Sequence, residues 1–200
     1  YGDHPDVGGL VVTGAGSAFS SGGDVKRMAV RKDGEQTAEE KFSEMRARHH
    51  ETAGAIRSLR IPSVAAIPGP AAGAGLALAL SCDMRVAADG AFMTTGYARV
   101  GLPGDYGAAW LLTRVVGPGR ARELMLTSER VTADRALAIG LVNRVAPAEK
   151  LMETTLELIA PLANGPRIAY GYIKDNLEEA LQIDHKTPID REAERMLRSQ

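Results

Sequence analysis

The sequence predicts an α/β domain with a helical C-terminal region, and three observations predict it. Short apolar, β-branched runs in the first half each end at glycine or proline. Helix-forming residues resume after those breaks. The second half is mostly helical in pattern, with one short apolar run, LVNRV, inside it. Strands alternating with helices, followed by helices, is the signature of layered α/β packing with a helical extension. The 200 residues suffice for one domain with a substantial core, and neither an internal repeat nor a low-complexity linker divides them.

The elements follow in order. Leu10 to Gly16, LVVTGAG, reads as a buried strand ending in a glycine turn, and Phe19 to Asp24, FSSGGD, as a loop. From Gln36 to Arg60 the residues Phe42, Met45, Thr52, Ile56 and Leu59 recur at helical spacing, which predicts an amphipathic helix. IPSVAAIPG is a second strand bounded by Pro62 and Pro68, and a helix starts again at Gly73. Met84 to Asp89 is a third strand, and AFMTT is expected to extend the same sheet. A helix is expected near Tyr106 to Val116. Ala136 to Val145 reads as a helix, a stop at Gly140 and a short strand. Glu149 to Ala160 and Arg167 to Leu181 supply two more helices. The charged run from Ile183 to Gln200 reads as a docking helix, with Leu181, Ile189, Met196 and Leu197 as its apolar contacts.

Composition excludes several functions. The formal net charge is −1, from 24 basic and 25 acidic residues, so no basic face for nucleic acid is expected. Aromatic residues are only 4%, too few for base-stacking platforms. The single cysteine, Cys82, leaves no intrachain disulfide, fits a reducing compartment and predicts a cytoplasmic location. The polar opening, YGDHPDVGG, has no secretory pattern. Val64 to Cys82 is uncharged and nearly long enough to span a bilayer, but Pro68-Gly69-Pro70 splits it into a short strand and a short helix, so no membrane span is expected. With no CxxC or HExxH pattern, no metal site is expected either.

Other enzyme motifs fail on spacing. After the first strand, Phe19 stands where GxGxxG from Gly14 needs its last glycine. Ala18 and Ser20 stand where TGxxxGxG from Thr13 needs glycines. Tyr170 and Lys174 form a YxxxK pair, which chance explains. No GxSxG elbow occurs, and His4, His49, His50 and His185 lie in polar or helical contexts. Adjacent on a helix, His49 and His50 point about 100° apart, so both are expected on a solvated face.

What survives is a pair of glycine-rich turns, Ser21 to Asp24 and Gly69 to Gly75, each following a strand. Small side chains leave backbone N–H groups uncovered, and the second turn opens a helix whose first N–H groups lack intrahelical partners. Two such donors converging on one oxygen would form an oxyanion hole; close packing alone is the other reading.

These motifs, together with VVTGAGSAFSSGGDVKRM, IPSVAAIPGPAAGAGLALALSCDMRVAAD, VGLPGDYGAAWLLTRVVG and ADRALAIGLVNRVAP, resemble the crotonase superfamily, the enoyl-CoA hydratase/isomerase family, in family order from about Leu10 to Asn176. The resemblance implies a spiral of β-β-α repeats with a helical C-terminal region, acyl-CoA thioester substrates, and a homotrimer or a dimer of trimers. It divides the chain into a core at 1–145, with the family's first strands missing, and a truncated helical region at 146–200 used in oligomerisation. It implies no cofactor, coenzyme A being part of the substrate.

Carried over residue by residue, Gly23 and Ala74 match the two oxyanion-hole amides. Gly23, Asp24, Val25 and Lys26 match the segment lining the CoA moiety, together with Ala74. The two glutamates of the family's hydratases would fall at Ala77 and Tyr97, where neither residue can do acid–base work near neutral pH. Asp105, in GLPGDYG, matches a position where some members place a catalytic aspartate, although it could instead cap the following helix. Tyr97 and Trp110 are candidates for the acyl pocket, and Cys82 and Asp83 read as structural. The expected activity is enoyl-CoA isomerisation with Asp105 as acid and base. Hydration by a variant mechanism and a non-catalytic acyl-CoA-binding subunit are the alternatives.

Overall fold

A computed structural model describes residues 4–24, 37–180, 182 and 186–199. Val25 and Lys26, expected beside coenzyme A, and Leu181 and Ile183, expected in the docking run, lie outside the described residues.

Strands β1 (Leu10–Thr13), β2 (Ser63–Ile67), β4 (Met84–Ala88) and β7 (Arg144–Ala146) form an all-parallel sheet in the order β1-β2-β4-β7. A smaller sheet holds β3 (Ala71–Ala72), β5 (Phe92–Thr94) and β6 (Val131–Thr132). The chain winds between them. Each turn lays one strand in the first sheet and one in the second, then closes with a helix. Thus β2 and β3 lead into helix α2 (Ala74–Ser81), and β4 and β5 lead, after a short 3₁₀ turn at Ala98–Val100, into α3 (Ala108–Thr127). The preceding turn has the same plan: after β1, Ser20 makes a parallel bridge to Ala71 and the chain continues to α1 (Ala38–His49). This is the β-β-α spiral expected from the sequence.

Burial explains why the first sheet is parallel and continuous in its apolar character. All five residues of β2, SVAAI, are buried, as a strand covered on both faces requires. Helices α2 and α5 (Leu151–Ala163) both pack on β2 and β4. Leu76 and Leu80 from α2 and Ile159 from α5 join Val64, Ile67 and Val86 in the core.

Two sequence expectations are corrected. AFMTT adds to the second sheet, not the first: Met93 and Thr94 register against Ala71 and Ala72. The residues after Asp89 turn away through Gly90 because Ala91 N–H bonds back to Ala88 O at 3.0 Å. The long helix from Gln36 to Arg60 is not uniform. It begins at Ala38 behind a Thr37/Glu40 capping box, passes into a π-helical turn at His50–Gly54, and finishes at Ala55–Arg57. Its apolar stripe is covered only along its C-terminal part: Ala53 is buried and Ile56 packs on the core, while Phe42 and Met45 stay exposed.

The segment Val64 to Cys82 resolves into β2, β3 and α2, and no helix among the described residues is long and apolar enough to cross a membrane. At its end, Asp83 ties distant parts together. Its Oδ2 accepts from Ser63 N, Ser63 Oγ and Lys174 Nζ, each at 2.8 Å. This anchors α6 (Arg167–Glu179) to the start of β2 and absorbs the ammonium group of the YxxxK pair. Cys82 is buried beside it, and burial pushes its thiol up to about 12. Arg85, also buried, donates to the carbonyls of Leu141 and Cys82 at 2.8 and 2.9 Å.

The last helix, α7 (Lys186–Arg198), docks on α6 through Glu179, whose carboxylate accepts a bidentate pair from Arg195 at 2.7 and 2.9 Å. Arg195 and Arg191 hold the Glu179 carboxyl at about 2. Ile189, Met196 and Leu197 on α7 remain exposed.

Replacing Asp83 by alanine strands the Ser63 amide and the largely covered Lys174 ammonium together. We expect a loss of about 3 kcal/mol of unfolding free energy, read from the shift of the urea midpoint at unchanged slope.

Candidate active site

Backbone hydrogen bonds bring the two glycine turns together. The N–H groups of Phe19 and Ser20 both donate to Pro70 O, at 3.0 and 3.1 Å, and Ala72 N–H donates back to Ser20 O at 2.9 Å. Two glycines permit this approach. A Cβ at Gly22, where φ is 88°, would lie 2.8 Å from Ala72 O and 3.6 Å from Ala74 N. A Cβ at Gly75 would lie 2.4 Å from Ser20 Cβ. Gly73 completes the second turn with φ 53° and ψ −123°, a combination L side chains avoid. Ala74 is then the first residue of α2, so its N–H has no carbonyl within the helix. Neither Gly23 N–H nor Ala74 N–H donates a hydrogen bond among the described residues.

Gly23 and Ala74 line one cavity of about 600 Å³. Asp24 and Asp105 line it as well, and one face of α1 with the π-helical turn contributes Arg48, His49 and Thr52. The cavity therefore has two bare backbone donors, carboxylates and an imidazole on its walls. That set can stabilise a developing oxyanion and move protons.

Asp105 is half-buried in the loop before α3. The surrounding backbone is unusual: Gly104, Tyr106 and Gly107 have φ of 119°, 49° and 74°. For the non-glycine Tyr106 this left-handed conformation is disfavoured by about 1 kcal/mol or more, and such strain collects at functional sites. The helix-capping role open to Asp105 falls to its carbonyl, which accepts from Ala108 N–H at 2.9 Å; no side chain caps α3. The carboxylate instead accepts from Tyr97 Oη, at 2.7 Å to Oδ1.

Tyr97 is buried in a small cluster with Ala77 and Ala108 and is not among the residues lining the cavity. Burial, and then the bond to Asp105, raise its phenol far above the ordinary value, so it stays a neutral donor. Trp110 lies on α3 beside a separate depression with Ala53 and Leu111, its ring covered by the Arg114 guanidinium 3.4 Å from the centroid. The structure thus brings Gly23, Asp24, Ala74 and Asp105 to one cavity, while Tyr97 and Trp110 lie outside its lining.

His49 was expected on a solvated face and instead lines the cavity. Its ring stacks on Tyr106, with centroids 4.1 Å apart and planes tilted by 43°. No local pattern marks it, because its ring partner Tyr106 lies far along the chain, on another element. His50, its neighbour, is exposed.

Comparison with known proteins fits this architecture. The enoyl-CoA hydratase/isomerase family model matches residues 2–200, and the chain belongs to that family. It is 36% identical over 150 residues to the Mycobacterium bovis protein named "Probable enoyl-CoA hydratase echA8", covering 75% of this chain and 55% of that protein. The chain therefore spans about half the length of that relative. It is 30% identical to 4-chlorobenzoyl coenzyme A dehalogenase-1 of Arthrobacter sp., covering 96% of this chain and 69% of that one. The crystal structure of an enoyl-CoA hydratase from Polaromonas sp. JS666 superposes with a TM-score of 0.90 at 32% identity, covering 98% of this chain and 75% of that one. These likenesses establish the crotonase fold for this chain.

Gly75→Ala should force Ser20 and Ala74 apart, since the new methyl collides with Ser20 on both side chain and backbone. The clash is expected to cost about 2 kcal/mol of unfolding free energy, read from the urea midpoint, with unfolding still cooperative by circular dichroism.

Proposed function

We propose that this chain acts on acyl-CoA thioesters by stabilising their enolates, and that its favoured reaction is double-bond migration in an enoyl-CoA. The thioester oxygen accepts from the amides of Gly23 and Ala74, whose N–H groups have no other partner among the described residues. Loss of a proton beside the carbonyl puts negative charge on that oxygen. Each fixed donor is worth about 3 kcal/mol to such an intermediate. Asp105 takes the proton from the α-carbon, and protonation at the γ-carbon completes the shift. Gly23 and Asp24 line the cavity beside the thioester oxygen, and the family resemblance assigns Val25 and Lys26 with them to the coenzyme A portion.

The observation that carries this reading is the placement of Asp105 on the wall shared with Gly23 and Ala74, with its carboxylate fixed by Tyr97. At the two positions where the resemblance puts a hydratase's glutamates, Ala77 and Tyr97 are both buried and neither provides a carboxylate. A site so built relocates a proton more readily than it activates water. The hydratase names of relatives favour hydration as the second reading.

Asp105→Asn keeps the shape and the hydrogen bond but removes the base. It should lower double-bond migration by about 10²- to 10⁴-fold while acyl-CoA binding, measured by calorimetry, changes little. Water addition to the same enoyl-CoA is followed in parallel. Rapid hydration that persists in Asp105→Asn would refute the isomerase reading, and an unchanged migration rate would refute Asp105 as the base.

We also infer a homotrimer, or a dimer of trimers. Support comes from the exposed Ile189, Met196 and Leu197 on a helix that is otherwise strongly charged. Sedimentation velocity of the full-length protein should show a species of at least three subunits; a lone monomer at micromolar concentration would rule this out.

A further inference from the structure

We propose that His49 is a second proton carrier of this site, acting at the γ-carbon while Asp105 acts at the α-carbon; the proposal rests on the reading of the cavity as an enolate-forming acyl-CoA site. Met45, Arg48, His49 and Thr52 all line the cavity. They stand at i, i+3, i+4 and i+7, so they form one face of α1 continued into the π-helical turn. Among them only His49 carries an imidazole, a group able both to accept and to donate a proton.

Two features fix the imidazole relative to Asp105. Its ring stacks on Tyr106, the residue directly after Asp105. Tyr106 is itself in the left-handed region, with φ 49°, a conformation a non-glycine residue keeps only where its surroundings hold it. His49 is also the last residue before the helix changes to π-helical geometry, a local distortion that recurs at functional sites.

The imidazole is not occupied by a structural task. No hydrogen bond or ion pair engages it among the described residues, in contrast to Lys174, which is bound to Asp83. The charged or titratable groups on the same cavity wall are Arg48 from its own helix, Asp24 from the first glycine turn, and Asp105 and Tyr106 from the loop before α3.

The chemistry calls for two positions of transfer. In a 3-enoyl thioester Asp105 breaks the α C–H bond, and the electron pair moves through the C1–C2 bond onto the thioester oxygen. The dienolate is then protonated at the γ-carbon by the His49 imidazolium, and the double bond comes to rest between C2 and C3. The neutral imidazole recovers its proton from the Asp105 carboxylic acid through solvent. One proton leaves and one arrives, so the substrate is isomerised and the enzyme restored.

The test separates the two transfers. In deuterium oxide, loss of the α-hydrogen from a saturated acyl-CoA is followed by mass spectrometry, and migration in the matching 3-enoyl-CoA by absorbance. In His49→Gln, migration should fall about 10²-fold while α-exchange, which needs Asp105 and the two amides, continues. Asp105→Asn should lose both. A His49→Gln variant that migrates the double bond at the wild-type rate overturns the proposal. So does one that loses exchange and migration equally, because His49 would then be supporting the fold of the site. A wild-type chain that exchanges no α-hydrogen and migrates no double bond overturns the functional reading itself, and the proton pair with it.

Discussion

The arrangement of the site depends on the backbone lacing between Phe19–Ser20 and Pro70–Ala72. Three hydrogen bonds join these segments, and they hold the turn carrying Gly23 against the turn that opens α2. Side chains could not do this as well. The segments approach so closely that a single methyl at Gly75 would overlap Ser20. Two amides on different elements are useful to one oxygen only if their spacing is set before the substrate arrives. Here it is set by main-chain bonds linked to the second sheet, with Ala71 pairing to Ser20 on one side and Met93 on the other.

Charged groups divide into two populations. Asp83, Lys174, Arg85 and Glu179 are used to join elements, and each has close partners in the fold. Asp105 has a different setting. Among the described residues its side-chain partner is a buried phenol that donates without carrying charge, so there the carboxylate is oriented but not neutralised by an ammonium or guanidinium. Asp83 and Glu179 are bound to cations; Asp105 is bound to a hydroxyl. That contrast supports a proton-transfer role for Asp105 better than its sequence position alone.

Much of this was legible from the sequence. Pro68, Pro70 and the glycines near them punctuate β2, β3 and α2 where the structure places their ends, because backbone constraints are local. The α/β class followed from the same punctuation. The second sheet was not legible. β3 and β6 are two residues each, too short to show an alternation, and their pairing is decided by the winding of the chain. In the site, Gly23, Ala74 and Asp105 stood out through the family resemblance. His49 did not, because its contact on the cavity wall is with Tyr106, and a left-handed tyrosine leaves no mark in composition or periodicity. The bond from Tyr97 to Asp105 spans only eight residues, yet it requires the irregular loop between them and so escaped notice as well.

The burial of Cys82 has a consequence for a family that handles thioesters. A thiolate attacks a thioester readily, taking the acyl group onto the protein and releasing the carrier thiol. Burial raises the Cys82 sulfhydryl to about 12, so the thiol form is favoured over the thiolate. The sulfur is also sealed in the core at the C-terminal end of α2, where it lies 3.8 Å from Leu78 O. The chain's one cysteine is therefore closed to acylation by a thioester through packing as well as through ionisation.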